Sequence, residues 1–128
     1  PAVGTLLMLA DQVKWMNENG GLAGMVERTR ANSQALYSWA ENHKHATPFV
    51  ADPDKRSYVV GTIDFDDAID AAEVAKALRA NGVVDTEPYR KLGRNQLRIG
   101  MFPAIDTEDV AKLTGAIDFL LSQGVGVK

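Results

Sequence analysis

The sequence contains no cysteine, which excludes a disulfide framework and any metal site built on thiolate ligands. It also lacks a long apolar run. The longest, at residues 6–10, is far shorter than the roughly 20 residues that a membrane-spanning helix requires, and no basic segment precedes it. These absences predict a cytoplasmic protein with neither a signal peptide nor a membrane anchor.

The chain has no excess of basic residues either, because its formal net charge is −3 at pH 7. Binding to a nucleic-acid backbone needs cations over a whole face, so nucleic acid is not an expected partner. The composition that remains is typical of a soluble globular domain, with 45% hydrophobic and 24% charged residues in a chain of 128. This length is sufficient for one hydrophobic core.

The chain starts at Pro1 rather than at a methionine, and an apolar helical pattern follows almost at once. We interpret this start as that of a domain taken from a longer polypeptide.

Apolar residues recur at helical spacing in four segments. The predicted helices cover residues 5–17, 22–43, 70–81 and 106–124. On the second helix, Leu22, Met25 and Val26 share one apolar stripe with Leu36 and Tyr37. Asp70 and Asp106 are the predicted N-terminal caps of the last two helices.

Strand-like patterns lie between these helices. They cover residues 47–50, 57–65, 83–84 and 96–102, and the first is a predicted edge strand because Pro48 removes a hydrogen-bond donor. Leu97, Ile99 and Met101 are expected to share one face of the last strand. Together the patterns predict a two-layer α/β domain in which three or four short strands form an antiparallel or mixed sheet.

The most informative segment is basic. Four cations, Arg90, Lys91, Arg94 and Arg98, occur without an intervening acid in a chain that is acidic overall, so the local field is positive. The planar guanidinium group of arginine can donate two parallel hydrogen bonds to the oxygens of a carboxylate or a phosphate. A small dianionic metabolite is therefore the favoured ligand. Because side chains alternate along a strand, Arg98 and Gly100 are expected on one face of the strand and Leu97 and Ile99 on the other.

The same residues allow other interpretations. Most basic runs are solvated surface, and Arg98 could pair with Asp85 or Glu87. A metabolite-sensing regulatory α/β module and a purely structural interaction domain both stay open at this point.

His43 and His45 are an i, i+2 pair without a third ligand nearby, so we expect a polar loop there rather than a metal site.

Two blocks of the sequence resemble the phosphoserine aminotransferases, in particular the actinobacterial branch of that family. The first runs from Pro1 through Trp15 to Leu22, and the second from Asp85 through the segment Asn95-Gln96-Leu97-Arg98-Ile99-Gly100 to Ala104. The segments between them match the family in order and length, so the resemblance covers nearly the whole chain.

This resemblance implies the C-terminal small domain of a dimeric, fold-type I aminotransferase that uses pyridoxal phosphate. Residues 1–20 would be a lead-in helix from the large domain and residues 21–128 the small domain. The family transfers an amino group from glutamate to 3-phosphohydroxypyruvate, giving phosphoserine and 2-oxoglutarate, in serine and in many bacteria pyridoxine biosynthesis. The chain would therefore orient a phosphorylated substrate without being catalytic by itself.

The resemblance also implies roles for single residues. Arg98 matches the strand arginine that binds the substrate carboxylate, and Tyr89 and Arg90 stand where related enzymes have a His-Arg pair that binds the substrate phosphate or side-chain carboxylate. Lys91 and Arg94 have no counterpart, and we assign them supporting charge as a hypothesis. None of the seven lysines lies in a context that resembles the Schiff-base motif, so the absent large domain is expected to bind the cofactor.

Overall fold

A computed structural model describes residues 2–128, so the predictions that involve Pro1 lie outside the described residues. Within this range the chain forms four α-helices, three β-strands and one turn of 3₁₀ helix. In chain order they are α1 (Val3–Glu18), α2 (Gly21–Asn42), β1 (Ala46–Pro48), the 3₁₀ turn (Pro53–Lys55), β2 (Val60–Phe65), α3 (Ala71–Ala80), β3 (Gln96–Gly100) and α4 (Thr107–Ser122).

The three strands form one antiparallel sheet in the order β1-β2-β3. This confirms the predicted α/β class and the antiparallel alternative for the sheet. The predicted edge strand at Pro48 is β1, which lies at one edge of the sheet. Strand β3 forms the other edge, with Arg98 opposite Thr62 of β2.

The predicted strand at residues 83–84 is wrong, because the backbone there still completes the end of α3. Gly82 adopts a left-handed conformation with φ +86°, and the Val83 N–H donates to the Leu78 carbonyl at 3.0 Å. This is the 6→1 bond of a Schellman motif, which uses the donor that a strand would need.

Strand β2 starts three residues later than the pattern predicted. The Ser57 hydroxyl accepts hydrogen bonds from the N–H groups of Val59 and Val60, each at 3.2 Å. Local bonds of this kind hold the backbone in a turn and compete with a ladder, so the ladder begins only at Val60.

Helices α2, α3 and α4 cover one face of the sheet and enclose a single core. Leu97, Ile99 and Met101 all point into it, as the alternation predicted. Other large members of this core are Leu36, Ile63, Phe65, Ile69, Val74, Leu78, Val110 and Ile117. Burying one such side chain contributes about 1.5–3 kcal/mol, and on the other face of the sheet Gln96 is buried while Arg98 and Gly100 are exposed.

The two predicted caps behave differently. The Asp70 carboxylate accepts hydrogen bonds from the N–H groups of Ala72 and Glu73, which confirms the N-terminal cap of α3. Asp106 occupies the cap position of α4 but makes no cap hydrogen bond, so that prediction is wrong. Its carboxylate instead accepts from Arg28 Nη2 at 2.8 Å, an interaction between distant segments that no local pattern predicts.

Helix α1 packs against α2 and contains no buried residue. Its large apolar side chains are exposed, namely Val3, Leu6, Leu7, Met8, Leu9 and Val13. Helix α2 contains the predicted apolar stripe, but the first turns of this stripe are only partly covered, since Leu22 is 82% exposed and Val26 is 39% exposed while Met25 is buried. Among residues 2–128, no helix combines the length and apolar character that crossing a bilayer requires.

Candidate anion-binding site

Arg98 lies in the middle of β3 and projects from the face of the sheet opposite the core. Its neighbours Leu97 and Ile99 are buried in the core, whereas Arg98 and Gly100 are exposed. The Arg98 N–H donates to the Thr86 carbonyl at 2.9 Å, so the preceding loop lies along this edge of the sheet. A paired strand with a buried face restricts its backbone, and the guanidinium is therefore presented from a rigid base.

Gly100 is the next residue on the same face, and the space beside it is open on one side. A Cβ added at Gly100 would meet only the ring of Phe102, at 3.4 and 3.5 Å. Phe102 itself is about half exposed. The surface next to Arg98 thus combines free space with one aromatic ring.

Arg98 and Arg90 line the same surface cleft, which has a volume of about 690 Å³. The six residues that line it are Arg79, Asp85, Glu87, Pro88, Arg90 and Arg98. The fold therefore brings together two of the residues singled out in the sequence. Tyr89 and Lys91 are exposed on the same loop but do not belong to the lining.

Arg79, in the last turn of α3, is the residue of this cleft that the sequence analysis missed. Its Nε donates to Glu87 Oε1 at 2.6 Å and its Nη2 to Glu87 Oε2 at 2.9 Å, a bidentate pair. The same Nη2 donates to Asp85 Oδ1 at 3.0 Å. The chain reverses at residues 81–82, and this reversal brings Arg79 to the two acids. The sequence did contain a signal for the pairing, because Asp85 and Glu87 follow Arg79 by only six and eight residues.

Electrostatics in the cleft follow from this arrangement. Hydrogen bonds from Arg79 lower the pKa of Glu87 to about 2, and the bonds to Glu87 and then Asp85 raise the pKa of Arg79. Three guanidinium groups line the cleft against two carboxylates, so its field is positive at neutral pH. Within residues 2–128, neither Arg90 nor Arg98 forms an ion pair, whereas Arg79 binds both acids of the cleft.

Arg94 is engaged elsewhere. Its Nε and Nη2 both donate to the Asp64 carboxylate, which raises the pKa of Arg94. The guanidinium also lies over the Phe49 ring, 5.0 Å from the centroid. Gln96 donates to the same Asp64 carboxylate at 2.6 Å, so Arg94 belongs to a network that joins β2 to the start of β3.

A second cleft of about 570 Å³ lies between α4 and residues 82–86. Its walls are mostly apolar, with side chains such as Val84 and Leu113. The Thr86 hydroxyl, at this wall, is buried without a hydrogen-bond partner among the described residues. The sequence analysis did not predict this cleft.

The two histidines are each paired with an acid. His45 Nδ1 lies 2.8 Å from Asp66 Oδ2, and this hydrogen bond lowers the pKa of Asp66. His43 Nε2 lies 3.6 Å from Asp118 Oδ1. In the part of the chain that the structure describes, no three potential ligands are grouped as a metal site requires.

The lysines do not form a site for pyridoxal phosphate. All seven are exposed, and four of them form surface ion pairs with acids on the same or an adjacent turn, namely Lys14, Lys55, Lys76 and Lys112. A Schiff-base lysine needs an enclosed setting that favours its neutral amine. The described residues therefore do not fit the cofactor.

No protein-family model matches the sequence, but individual relatives do. The chain is 73% identical over all 128 residues to a phosphoserine aminotransferase of Corynebacterium glutamicum. It is 68% identical over 123 residues to the phosphoserine aminotransferase of Rhodococcus opacus. These alignments cover 100% and 96% of the chain but only 34% and 33% of the relatives, so the chain spans about a third of their length.

Solved structures show the same fold. A phosphoserine aminotransferase from Bacillus circulans has a TM-score of 0.77 at 24% identity, and the match covers 87% of this chain and 30% of that one. A phosphoserine aminotransferase studied for radiation damage of its Schiff base has a TM-score of 0.85 at 15% identity, covering 96% and 34%. A third, with pyridoxal phosphate bound, from Trichomonas vaginalis, has a TM-score of 0.71 at 19% identity, covering 82% and 30%.

The structural matches establish the fold, and the sequence identity establishes the family. The chain belongs to the phosphoserine aminotransferase family and corresponds to about one third of a full-length member.

Proposed function

We propose that this chain is the substrate-orienting small domain of a full-length phosphoserine aminotransferase. The intact protein would convert 3-phosphohydroxypyruvate and glutamate to phosphoserine and 2-oxoglutarate, in serine biosynthesis in the cytoplasm. The observation that carries this proposal is the sequence identity over the whole chain. The cleft adds chemical support, because two arginines without ion pairs suit a substrate with a carboxylate and a phosphate.

Within the cleft we assign the carboxylate of the substrate to Arg98 and its phosphate to Arg90. A guanidinium donates two parallel hydrogen bonds to one carboxylate, which a lysine ammonium cannot do. Tyr89 is the proposed neighbour of Arg90 at the phosphate. Lys91 adds positive charge from the same loop, whereas Arg94 contributes only through the longer-range field because it is bound to Asp64.

Pyridoxal phosphate would be bound by the rest of the polypeptide, since the lysines of this chain are exposed. When bound, the cofactor acts as the electron sink for transamination. The residues of this chain then have two tasks, which are to bind the anionic groups of the substrate and to fix its orientation. Neither task needs a group on this chain that changes its protonation.

The partner that we propose for α1 is the large domain of the same polypeptide. A helix with apolar side chains around much of its circumference is typical of a helix enclosed by protein on several sides, and α1 exposes six such side chains. About two thirds of the length of the relatives lies outside this chain. Residues 2–20 would then be a lead-in helix and 21–128 the small domain, in a homodimer.

The assignment of Arg98 is tested in the full-length protein with Arg98→Ala and Arg98→Lys. Losing a charge-assisted hydrogen-bonded contact costs about 1.5–3 kcal/mol. We therefore expect KM for glutamate and for the phosphorylated substrate to rise roughly 10- to 150-fold in the alanine variant. Pyridoxal phosphate content, measured by absorbance, should stay at the wild-type level. Wild-type KM values in Arg98→Ala would contradict the assignment.

A further inference from the structure

The two acids of the cleft, Asp85 and Glu87, would compete with an anionic ligand for the guanidinium groups of the cleft. Asp85 and Glu87 line the same cleft as Arg90 and Arg98, and the hydrogen bond between the Arg98 N–H and the Thr86 carbonyl holds the segment between them against β3. A carboxylate within hydrogen-bonding reach is the preferred partner of a guanidinium. Without another partner, Asp85 and Glu87 would be available to pair with Arg90 and Arg98.

Arg79 provides that alternative partner. It enters the cleft from α3 and binds both acids at once, with three hydrogen bonds of 2.6–3.0 Å. Bidentate binding to Glu87 fixes the direction of that side chain as well as neutralising its charge. With both acids held by Arg79, the guanidinium groups of Arg90 and Arg98 keep their hydrogen-bond donors available.

We infer that Arg79 is a positioning residue that keeps Asp85 and Glu87 away from Arg90 and Arg98, and thereby leaves the cleft open to a small molecule with two anionic groups. The inference rests on the proposed function for the identity of this ligand, a molecule with one carboxylate and one phosphate. Arg79 acts through the acids and needs no contact with the ligand. Its loss would turn the two acids into internal competitors.

The role differs from that of a stabilising ion pair. The side chain of Arg79 is 49% exposed and that of Asp85 is 86% exposed, and exposed pairs contribute little to folding stability. Removing Arg79 should therefore weaken anion binding while the thermal unfolding of the protein changes little. A purely structural role would produce the opposite pattern.

The test uses the full-length protein and calorimetric binding of 3-phosphoglycerate, which has the carboxylate and phosphate but no amino or keto group to react. For Arg79→Gln we expect at least about tenfold weaker binding, on the scale of one lost charge-assisted contact. KM for the phosphorylated substrate should rise by a similar factor with kcat almost unchanged. Lys76→Gln is the matched control, because it removes an exposed cation from the same helix, paired only with Glu73.

The decisive variant is the triple mutant Arg79→Gln, Asp85→Asn, Glu87→Gln, which removes the competitors together with their partner. Asparagine suits position 85 because the backbone there has φ +62°, a region that asparagine tolerates well. We expect the triple mutant to recover affinity to within about threefold of wild type, a difference below 1 kcal/mol.

Three outcomes would overturn the inference: wild-type affinity in Arg79→Gln, equal losses in Arg79→Gln and Lys76→Gln, or no recovery in the triple mutant, which would mean that Arg79 binds the ligand directly. A wild-type protein that binds 3-phosphoglycerate but does not transaminate contradicts the proposed function and leaves the inference to be decided by the variants. A wild-type protein that does not bind 3-phosphoglycerate at all contradicts both.

Discussion

Arg28 Nε donates a 2.7 Å hydrogen bond to the backbone carbonyl of Pro103, and this contact ties α2 to the turn that follows β3. The same guanidinium binds Asp106 and lies 5.6 Å from the centroid of the Trp15 ring on α1. Arg28 therefore joins the first two helices to the turn after β3, which is more than 70 residues further along the chain.

From this contact we predict that Arg28→Ala lowers the free energy of unfolding of the chain by about 1.5–3 kcal/mol, the range for hydrogen bonds to a charged group. Arg28→Lys should recover only part of this loss, because an ammonium cannot bind the Pro103 carbonyl and the Asp106 carboxylate in the same fork geometry. Urea denaturation followed by circular dichroism measures both variants. Equal stability of the alanine variant and wild type would contradict the prediction.

Glycine substitutions should have opposite effects at two positions. At Gly61 an added Cβ would overlap Leu36 Cδ2 and lie 3.2 Å from Met101 Cε, both in the core. Overpacking of this kind costs about 1–3 kcal/mol, so Gly61→Ala should lower the midpoint of thermal unfolding.

Gly115 is the matched control, because it is exposed in α4 and an added Cβ would meet nothing within 4 Å. Alanine there should stabilise the helix by about 0.5–1 kcal/mol. Calorimetric unfolding of both variants is the measurement. A stabilising Gly61→Ala would show that the core around Leu36 can move aside.

The stability of the chain should fall as the pH drops below neutral, in part through His43. Burial lowers the pKa of His43 below its ordinary value of 6.5, and this outweighs the opposing effect of Asp118. The folded state therefore binds the proton less readily than the unfolded state. The contribution is fully present above pH 6.5 and is lost as the pH falls from there through the folded-state pKa.

His43→Gln removes this titration but keeps a polar side chain. Its stability should depend less steeply on pH than that of wild type between neutral pH and the folded-state pKa, measured by urea denaturation at several pH values. The neighbouring groups His45, Asp66 and Asp118 are present in both proteins, so the difference reports His43. Parallel profiles for the two proteins would show that this histidine has the same pKa folded and unfolded.

The isolated chain should not form a specific adduct with pyridoxal phosphate, because its lysines are exposed. Titration with the cofactor should give no stoichiometric absorbance band of an internal Schiff base, whereas the full-length protein should give one. In calorimetry, phosphoserine should bind the isolated chain no more tightly than about millimolar, or −4 kcal/mol. A stoichiometric band, or micromolar binding of phosphoserine as expected of a free-standing sensor, would contradict the proposed role.

Much of the fold could be predicted because its signals are local. Helical spacing, the Asp70 cap and the alternation along β3 depend on neighbours within a few residues, and the structure agrees with each of them. The failures occurred where a local signal competed with another interaction. Val83 has strand propensity, but its N–H completes the Schellman motif of α3.

The candidate site could be predicted only in part. Arg90 and Arg98 stand out in the sequence, and the structure places both in one cleft. Arg94, four residues from each, is bound to Asp64 instead. Their roles toward a substrate stay predictions, since the fold by itself does not identify a ligand.

The sequence by itself determined the family, the helices and the face on which Arg98 lies, because these follow from residue identity and from the period of each element. Only the tertiary structure decided which acid pairs with which cation. Arg79 binds Asp85 and Glu87 across a chain reversal. The Asp106 carboxylate binds Arg28 instead of the N-terminal N–H groups of α4. Charge pairing depends on distances of a few ångströms, and those distances exist only once the helices have packed on the sheet.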